Sequence, residues 1–206
     1  EPATAMTARL ARGEFTPADE DTEIEMFTLA SEKLQRAGLE RYEISNYARP
    51  GGQSRHNLAY WRQEQWLACG PSAAAHVLLP EGSAGPVGTP GPYRWKNVPR
   101  LDDYLQGDAD GFAPAQDVEG PDPRRALVER IMTGLRLAEG LDAADILARA
   151  AACDPDAPAR LALRASHSVE HGHLDAEART RGRWVLTEAG LLVSNGVART
   201  LARALG

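Results

Sequence analysis

His56, Asn57, Tyr60 and Trp61 fall within six consecutive positions, in the run Arg55-His56-Asn57-Leu58-Ala59-Tyr60-Trp61. A neutral imidazole is a common metal ligand, and Tyr and Trp offer flat apolar surfaces with polar tips. That combination suits a planar, metal-centred ligand. Composition alone favours a plainer reading, a loop histidine hydrogen-bonded to a carbonyl beside two core aromatics. The run shows neither helical nor strand periodicity and is expected to be a loop.

The elements that must position this run belong to a chain of ordinary soluble composition. At 206 residues, 43% hydrophobic and 25% charged, it is long enough for one large or two small domains with a sizeable core. A formal net charge of −6 gives no general attraction for a polyanion, so nucleic acid and anionic membrane are disfavoured as partners. Two cysteines make no disulfide framework. There is also no apolar stretch of about 18 residues and no signal-peptide pattern, so a cytoplasmic protein is expected.

Thr16-Pro17-Ala18-Asp19 reads as a helix start, with a hydroxyl cap, a proline at the first helical position and a carboxylate three residues after the cap. The helix is expected from about Pro17 to Ala37, with Ile24, Phe27, Ala30 and Leu34 on one face and Gly38 ending it. Arg41 to Tyr47 alternates Tyr42 and Ile44 against Glu43 and Ser45, the pattern of a single strand, and Ser45 and Asn46 read as turn residues rather than substrate contacts. Trp66 to Cys69 reads as a short buried strand entering a turn at Gly70, with Cys69 an inert buried thiol. Residues 80–92 are a proline- and glycine-rich surface loop, Trp95 is a structural tryptophan, and Leu101 to Leu105 is a short helix candidate.

Residues 111–123, again rich in Pro, Gly and Asp, mark the expected domain boundary. Asp122 then caps a helix opened by Pro123 and running to about Glu139, with Leu127, Ile131 and Leu135 as its buried stripe. Asp142 caps a second helix, Ala143 to Ala152, and a third runs from Ala157 to about His171. Trp184-Val185-Leu186 is a brief strand, after which Thr187 caps a final helix, an order that suggests a winged-helix-like module. His167 and His171 share a helix face near His173, but no carboxylate or thiol completes a metal set and Gly172 interrupts the run, so they read as a solvated polar face.

The string from His56 to Trp61 also fits the HNxxYW haem-binding signature of the HemW-like haem chaperones, and the flanks Tyr42-Glu43-Ile44-Ser45-Asn46-Tyr47 and Trp66-Leu67-Ala68-Cys69-Gly70-Pro71 resemble that family's surrounding sequence. The family is similar to oxygen-independent coproporphyrinogen III oxidases and belongs to the radical S-adenosylmethionine superfamily, whose members carry a CxxxCxxC triplet near the start of a (β/α) barrel. Cys69 and Cys153 do not form such a triplet. The opening Glu1-Pro2-Ala3-Thr4 resembles a family segment that follows a late barrel strand. The resemblance therefore implies a C-terminal fragment of about half the family's length and an α/β fold: the C-terminal part of a radical-SAM (β/α) barrel followed by a mostly helical winged-helix-like domain. Residues 1–50 would end the barrel, and residues 51–118 would hold the haem motif and a connecting region. Residues 119–206 would be the HemN-type C-terminal domain, to which the runs 130–141 and 184–195 are similar. In such a barrel the motif would be a loop at the open mouth.

What the resemblance implies for function is a haem chaperone that binds haem through His56, Asn57, Tyr60 and Trp61, with His56 as the iron ligand or the residue that attaches haem, and passes it to an unknown acceptor protein, soluble or in the membrane, while this chain itself shows no membrane segment. A 4Fe-4S cluster and S-adenosyl-L-methionine are expected only in the full-length protein. His76 is displaced from the family's histidine and receives no role. The alternative is a radical S-adenosylmethionine oxidoreductase of the coproporphyrinogen III oxidase type, inactive without its cluster half. A third reading, DNA binding by the winged module through Arg124, Arg125, Arg179, Arg181 and Arg183, is disfavoured because such a module is just as often a protein-docking or lid element and fold does not fix function.

Overall fold

A computed structural model describes residues 4–82, 90–109 and 115–206. The chain divides into two compact units, Glu1–Arg41 with Ser45–Gly52, and Tyr42–Ile44 with Gln53–Gly206.

In the first unit, helix α1 (Ala5–Ala11) precedes the longer α2 (Glu20–Arg36). The cap of α2 is Asp19, whose carboxylate accepts the Thr22 N–H at 2.8 Å, so the helix begins three residues after the expected Pro17. A carboxylate cap followed by Glu20, Asp21 and Glu23 places negative charge against the unpaired N–H groups, a better terminus than the Thr16 hydroxyl offers. The stripe is Ile24, Phe27, Ser31 and Leu34; the small buried member is Ser31, while Ala30 is exposed one position off the stripe. Strands β1 (Glu40–Arg41) and β2 (Tyr47–Ala48) pair antiparallel, Glu40 with Ala48 and Arg41 with Tyr47. The single strand expected over Arg41 to Tyr47 is therefore a hairpin, with Ser45 and Asn46 exposed in its reversal. Its intervening residues belong to the second unit, where Glu43 bridges Leu137 and is buried, the opposite of the outward face its alternation suggested.

The second unit begins with α3 (Arg55–Arg62), followed by β3 (Ala74–Leu79), β4 (Gly91–Asn97), α4 (Leu101–Ala109) and β5 (Ala115–Glu119). The three strands form an antiparallel sheet in the order β3-β4-β5, with Ala75 opposite Trp95 and Arg94 opposite Glu119. Gly91 and Pro92, expected in the loop, open β4, and the rest of that loop from 83 to 89 lies outside the described residues. Trp66 pairs with His76 as an isolated bridge beside β3, but Leu67 is 77% exposed and Cys69 is also exposed, so the segment is not a buried strand and Cys69 is not a buried thiol. Part of the Pro/Gly/Asp-rich stretch from 111 to 123 is β5, while residues 110–114 lie outside the described residues.

After β5 come α5 (Pro123–Gly134), β6 (Leu141–Asp142), α6 (Ala143–Cys153), α7 (Ala157–Glu170), α8 (Ala176–Thr180), β7 (Arg183–Trp184), α9 (Glu188–Leu192) and α10 (Ser194–Ala202), closed by a 3-10 turn. Leu127, Ile131 and Leu135 are buried as their spacing required, packed with Ile146, Leu161 and Leu201 in one core. Helix α5 ends five residues before the expected Glu139 because the chain tightens there: Arg136 N–H bonds to Thr133 O at 3.0 Å and Leu137 N–H to Gly134 O at 3.2 Å. The turn finishes at Gly140, whose φ is +60° and where a Cβ would lie 2.1 Å from the Trp184 carbonyl oxygen; only glycine lets β6 pair with β7 there. The final helix is also broken, at Val193, into α9 and α10, and α8 was not expected.

The caps at Asp122, Asp142 and Thr187 all accept the N–H three residues on, at 2.9, 3.0 and 2.9 Å. Asp154 joins α6 to α7 by accepting hydrogen bonds from Arg160 and from the Asp156 N–H.

Two outcomes follow from this packing. Leu161→Ala should lower unfolding free energy by about 2–5 kcal/mol in urea denaturation, whereas the exposed Leu163→Ala on the same helix should stay within about 0.5 kcal/mol; equal losses would place the core elsewhere. The Arg160 hydrogen bond, followed by that of Asp156, holds the Asp154 carboxyl below its ordinary value. A lowered carboxylate contributes stability above the unfolded pKa and loses it as pH falls through the folded one, so carboxyl-carbon NMR should show Asp154 titrating late on acidification, and Arg160→Gln should return it upward.

Candidate functional site

Residues from five segments of the second unit line a cleft of about 650 Å³. One wall is α3. Ser54 caps it, its hydroxyl accepting the Asn57 N–H at 3.3 Å, and the Ser54 N–H donates to Tyr42 Oη at 3.4 Å. Gln63 ends the helix in the left-handed region at φ 55°. The motif is thus a short helix rather than a loop, and this geometry puts His56 with Tyr60, and Asn57 with Trp61, at i, i+4 spacing. All four line the cleft.

A ladder of rings runs along one side. The His56 and Tyr60 rings meet edge to face at 4.8 Å, Tyr60 stacks on Trp66 at 4.2 Å, and Trp66 lies 4.9 Å from His76. Trp66 is fixed by exchanging backbone hydrogen bonds with His76 at 2.8 and 3.0 Å and by donating its indole N–H to Ala74 O at 3.0 Å. His76 is buried and its Nδ1–H donates to the Glu64 carbonyl at 2.8 Å, so it supports Trp66 rather than opening on the cleft. His56, by contrast, is exposed, and its ring makes no hydrogen bond among the described residues.

The facing wall is α5, which contributes Glu129, Met132 and Thr133, with Ala74, Ala75 and Arg94 from the sheet. Arg94 pairs with Glu129 and, at 3.3 Å, with Glu119. α3 is tied to α5 at its end: Arg130 donates to the Arg62 carbonyl at 3.3 Å, Arg62 reaches Glu139 at 3.1 Å, and the Arg136 guanidinium lies 5.3 Å over Trp61.

α3 thus presents an exposed imidazole at the mouth of a slot flanked by aromatic faces. Haem chaperone HemW of Mycobacterium tuberculosis is 32% identical to the chain over 198 residues, 96% of the chain and 44% of that protein. The chain is a homologue of the HemW proteins. HemW of Escherichia coli is 27% identical over 179 residues, 87% of the chain and 42% of its own length, so the chain spans less than half of these relatives. The radical S-adenosyl methionine domain-containing protein 1 of Mus musculus, mitochondrial, is 37% identical over 82 residues, 40% of the chain and 18% of that protein. Among solved structures, coproporphyrinogen III oxidase (HemN) of Escherichia coli, a radical SAM enzyme, superposes with a TM-score of 0.58 over 91% of the chain and 42% of its own; at 15% identity this likeness is one of fold. No family model matches the chain.

The sequence motif covers the α3 wall alone. Trp66 lies outside any named strand, and Arg94, Glu129, Met132 and Thr133 of the remaining lining stand outside the motif. A signal for α5 was present: Glu129, Met132, Thr133 and Arg136 form a second stripe at helical spacing, opposite Leu127, Ile131 and Leu135. The histidines His167, His171 and His173 line a separate hollow, and His171 Nδ1–H donates to His167 O at 2.7 Å. Among the described residues no group of three or more His, Cys, Asp or Glu is placed to hold a metal ion. Trp95 is half-buried in β4 and does not line the cleft.

Because an eight-residue helix has little cooperativity of its own, its cap matters. Ser54→Ala should cost about 0.5–2 kcal/mol locally, seen as faster amide exchange at Asn57 and Leu58 with no change in the α7 amides. Unchanged exchange would mean that the tertiary ties alone hold α3.

Proposed function

We propose that this chain is the haem-holding part of a HemW-type haem chaperone, in which His56 binds the iron and Asn57, Tyr60 and Trp61 flank the macrocycle. The observation that carries the reading is the convergence of all four motif residues on one cleft beside an exposed imidazole. A tetrapyrrole needs an apolar slot and an axial donor, and a volume of about 650 Å³ lies in the range of small-molecule sites. Trp66, held by its own backbone and indole bonds, stiffens the Tyr60 ring by stacking and so limits the freedom lost on binding.

Exposure of His56 suits a carrier. A ligand that must be handed to an acceptor protein is best held at an open edge, and here the donor stands on a short helix at that edge, not inside the core. The acceptor is a protein partner, soluble or membrane-bound, met in the cytoplasm; no helix among the described residues is long and apolar enough to cross a membrane. A 4Fe-4S cluster with S-adenosyl-L-methionine, as the relatives' radical SAM names imply, does not fit this chain's own donors. Its cysteines, Cys69 and Cys153, are two in number and both are exposed, too few to hold such a cluster.

Titration with haemin tests the reading. The chain should bind one haem with a sharpened Soret band, and His56→Ala should weaken binding by on the order of tenfold or more, about 1.4 kcal/mol per decade. A His56→Ala protein with the same bands and stoichiometry would remove the assignment.

A further inference from the structure

Helix α5 brings a donor to the cleft that the motif does not account for. Its three lining side chains are Glu129, Met132 and Thr133, and two of them are already engaged. The Glu129 carboxylate accepts from the Arg94 guanidinium, and the Thr133 hydroxyl donates to the Glu129 carbonyl of its own helix at 2.9 Å. From the sheet side, Ala74 and Ala75 have no donor atom to offer a metal, Arg94 is a cation, and the Trp66 indole N–H is bonded to Ala74 O. His56, Asn57, Tyr60 and Gln63 all stand on or at the end of α3, the wall that already supplies the imidazole. What remains on the facing helix is a thioether: soft, uncharged and able to bind iron.

Resting on the haem-binding reading above, we propose that Met132 is the second axial ligand of the haem iron, bound from α5 while His56 binds from α3. The ties between α3 and α5 lie at the Arg62 end, and His56 and Met132 both line the cleft, so a ring held by both ligands would occupy that cleft. The step is coordination alone: a sulfur lone pair enters the open position on the iron, no proton moves and nothing is oxidised or reduced. Met132 is half-buried, with one side against the core and the other on the cleft, which restricts its rotamers before haem arrives. Histidine–methionine ligation also raises the iron's reduction potential relative to other axial sets. The thioether is the weaker of the two donors, so it is the bond that an acceptor's own ligand would displace first.

The test compares haemin complexes of the unmodified chain with Met132→Leu, Met132→His and His56→Ala by absorption and electron paramagnetic resonance. The unmodified ferric complex should be six-coordinate and low-spin, with a thioether-to-iron charge-transfer band at the far-red edge. Met132→Leu keeps volume and hydrophobicity, so a purely packing role would leave the spectrum unaltered; the proposal requires the same stoichiometry with loss of that band, a shift to high spin and a lower reduction potential. Met132→His should restore a low-spin spectrum of the two-imidazole type. An unmodified complex that binds haem but lacks the thioether band, or a Met132→Leu complex identical to it, overturns the Met132 assignment and leaves the His56 reading standing. Failure of the unmodified chain to bind haemin at all overturns that reading and this proposal together.

Discussion

One helix, α5, is packed on two opposite sides, and most of the second unit follows from that. Leu127, Ile131 and Leu135 face the helical core, where each is 2% exposed or less. About half a turn around, Glu129, Met132, Thr133 and Arg136 face α3 and the sheet. A helix so constrained can neither rotate nor slide without exposing apolar surface on one side, at about 25 cal/mol for each Å². The cleft therefore inherits its rigidity from a core that contains none of its lining residues except the half-buried Met132, which touches both.

α3 is held less firmly. Its ties to α5 are an ion pair whose side chains are 41% and 49% exposed, a single guanidinium bond to its last carbonyl, and a cation over Trp61. Exposed ion pairs contribute between nothing and about 1 kcal/mol. The heavier contribution comes from the rings, since Tyr60 stacks on a Trp66 that its own backbone fixes to β3. One wall is rigid and the other is the softer element, an arrangement that allows a flat ligand to enter by a small displacement of α3 while the facing surface keeps its shape.

What the sequence revealed followed the length of the pattern. Helices α5, α6 and α7 have caps at Asp122 and Asp142 and apolar spacing sustained over several turns, and the structure keeps them within a few residues. α3 is eight residues long, below the window in which a 3.6-residue period is legible, and its half-buried positions include Asn57, Ala59 and Trp61, which no apolar pattern would select. The motif string marked residues that share one wall of the cleft, but its lack of periodicity suggested a loop where the backbone is a helix. The hairpin at Tyr47 was hidden for a different reason: Glu43, polar and therefore assigned outward, is buried because its strand neighbour is Leu137, ninety-four positions along the chain. Local alternation carries no information about such a partner.

Charge decides what can drive binding in this cleft. The chain carries a net −6, and a haem with ionised propionates is itself an anion, so long-range attraction does not gather it. Arg94 is the cation among the lining residues, and it is already paired with Glu129 and Glu119, which leaves little field for a carboxylate. Freeing the guanidinium would leave Glu129 without its partner, while Glu119 keeps Arg125 at 3.8 Å. Were haem to bind as proposed, affinity would therefore come from apolar contact with Tyr60, Trp61 and Trp66 and from bonds to the iron. Its propionates would then be satisfied best at the solvent edge, where water meets them without cost to the ion pair. A ligand seated in this way would be gripped through its centre and face and left open at its rim, the part a receiving protein would meet first.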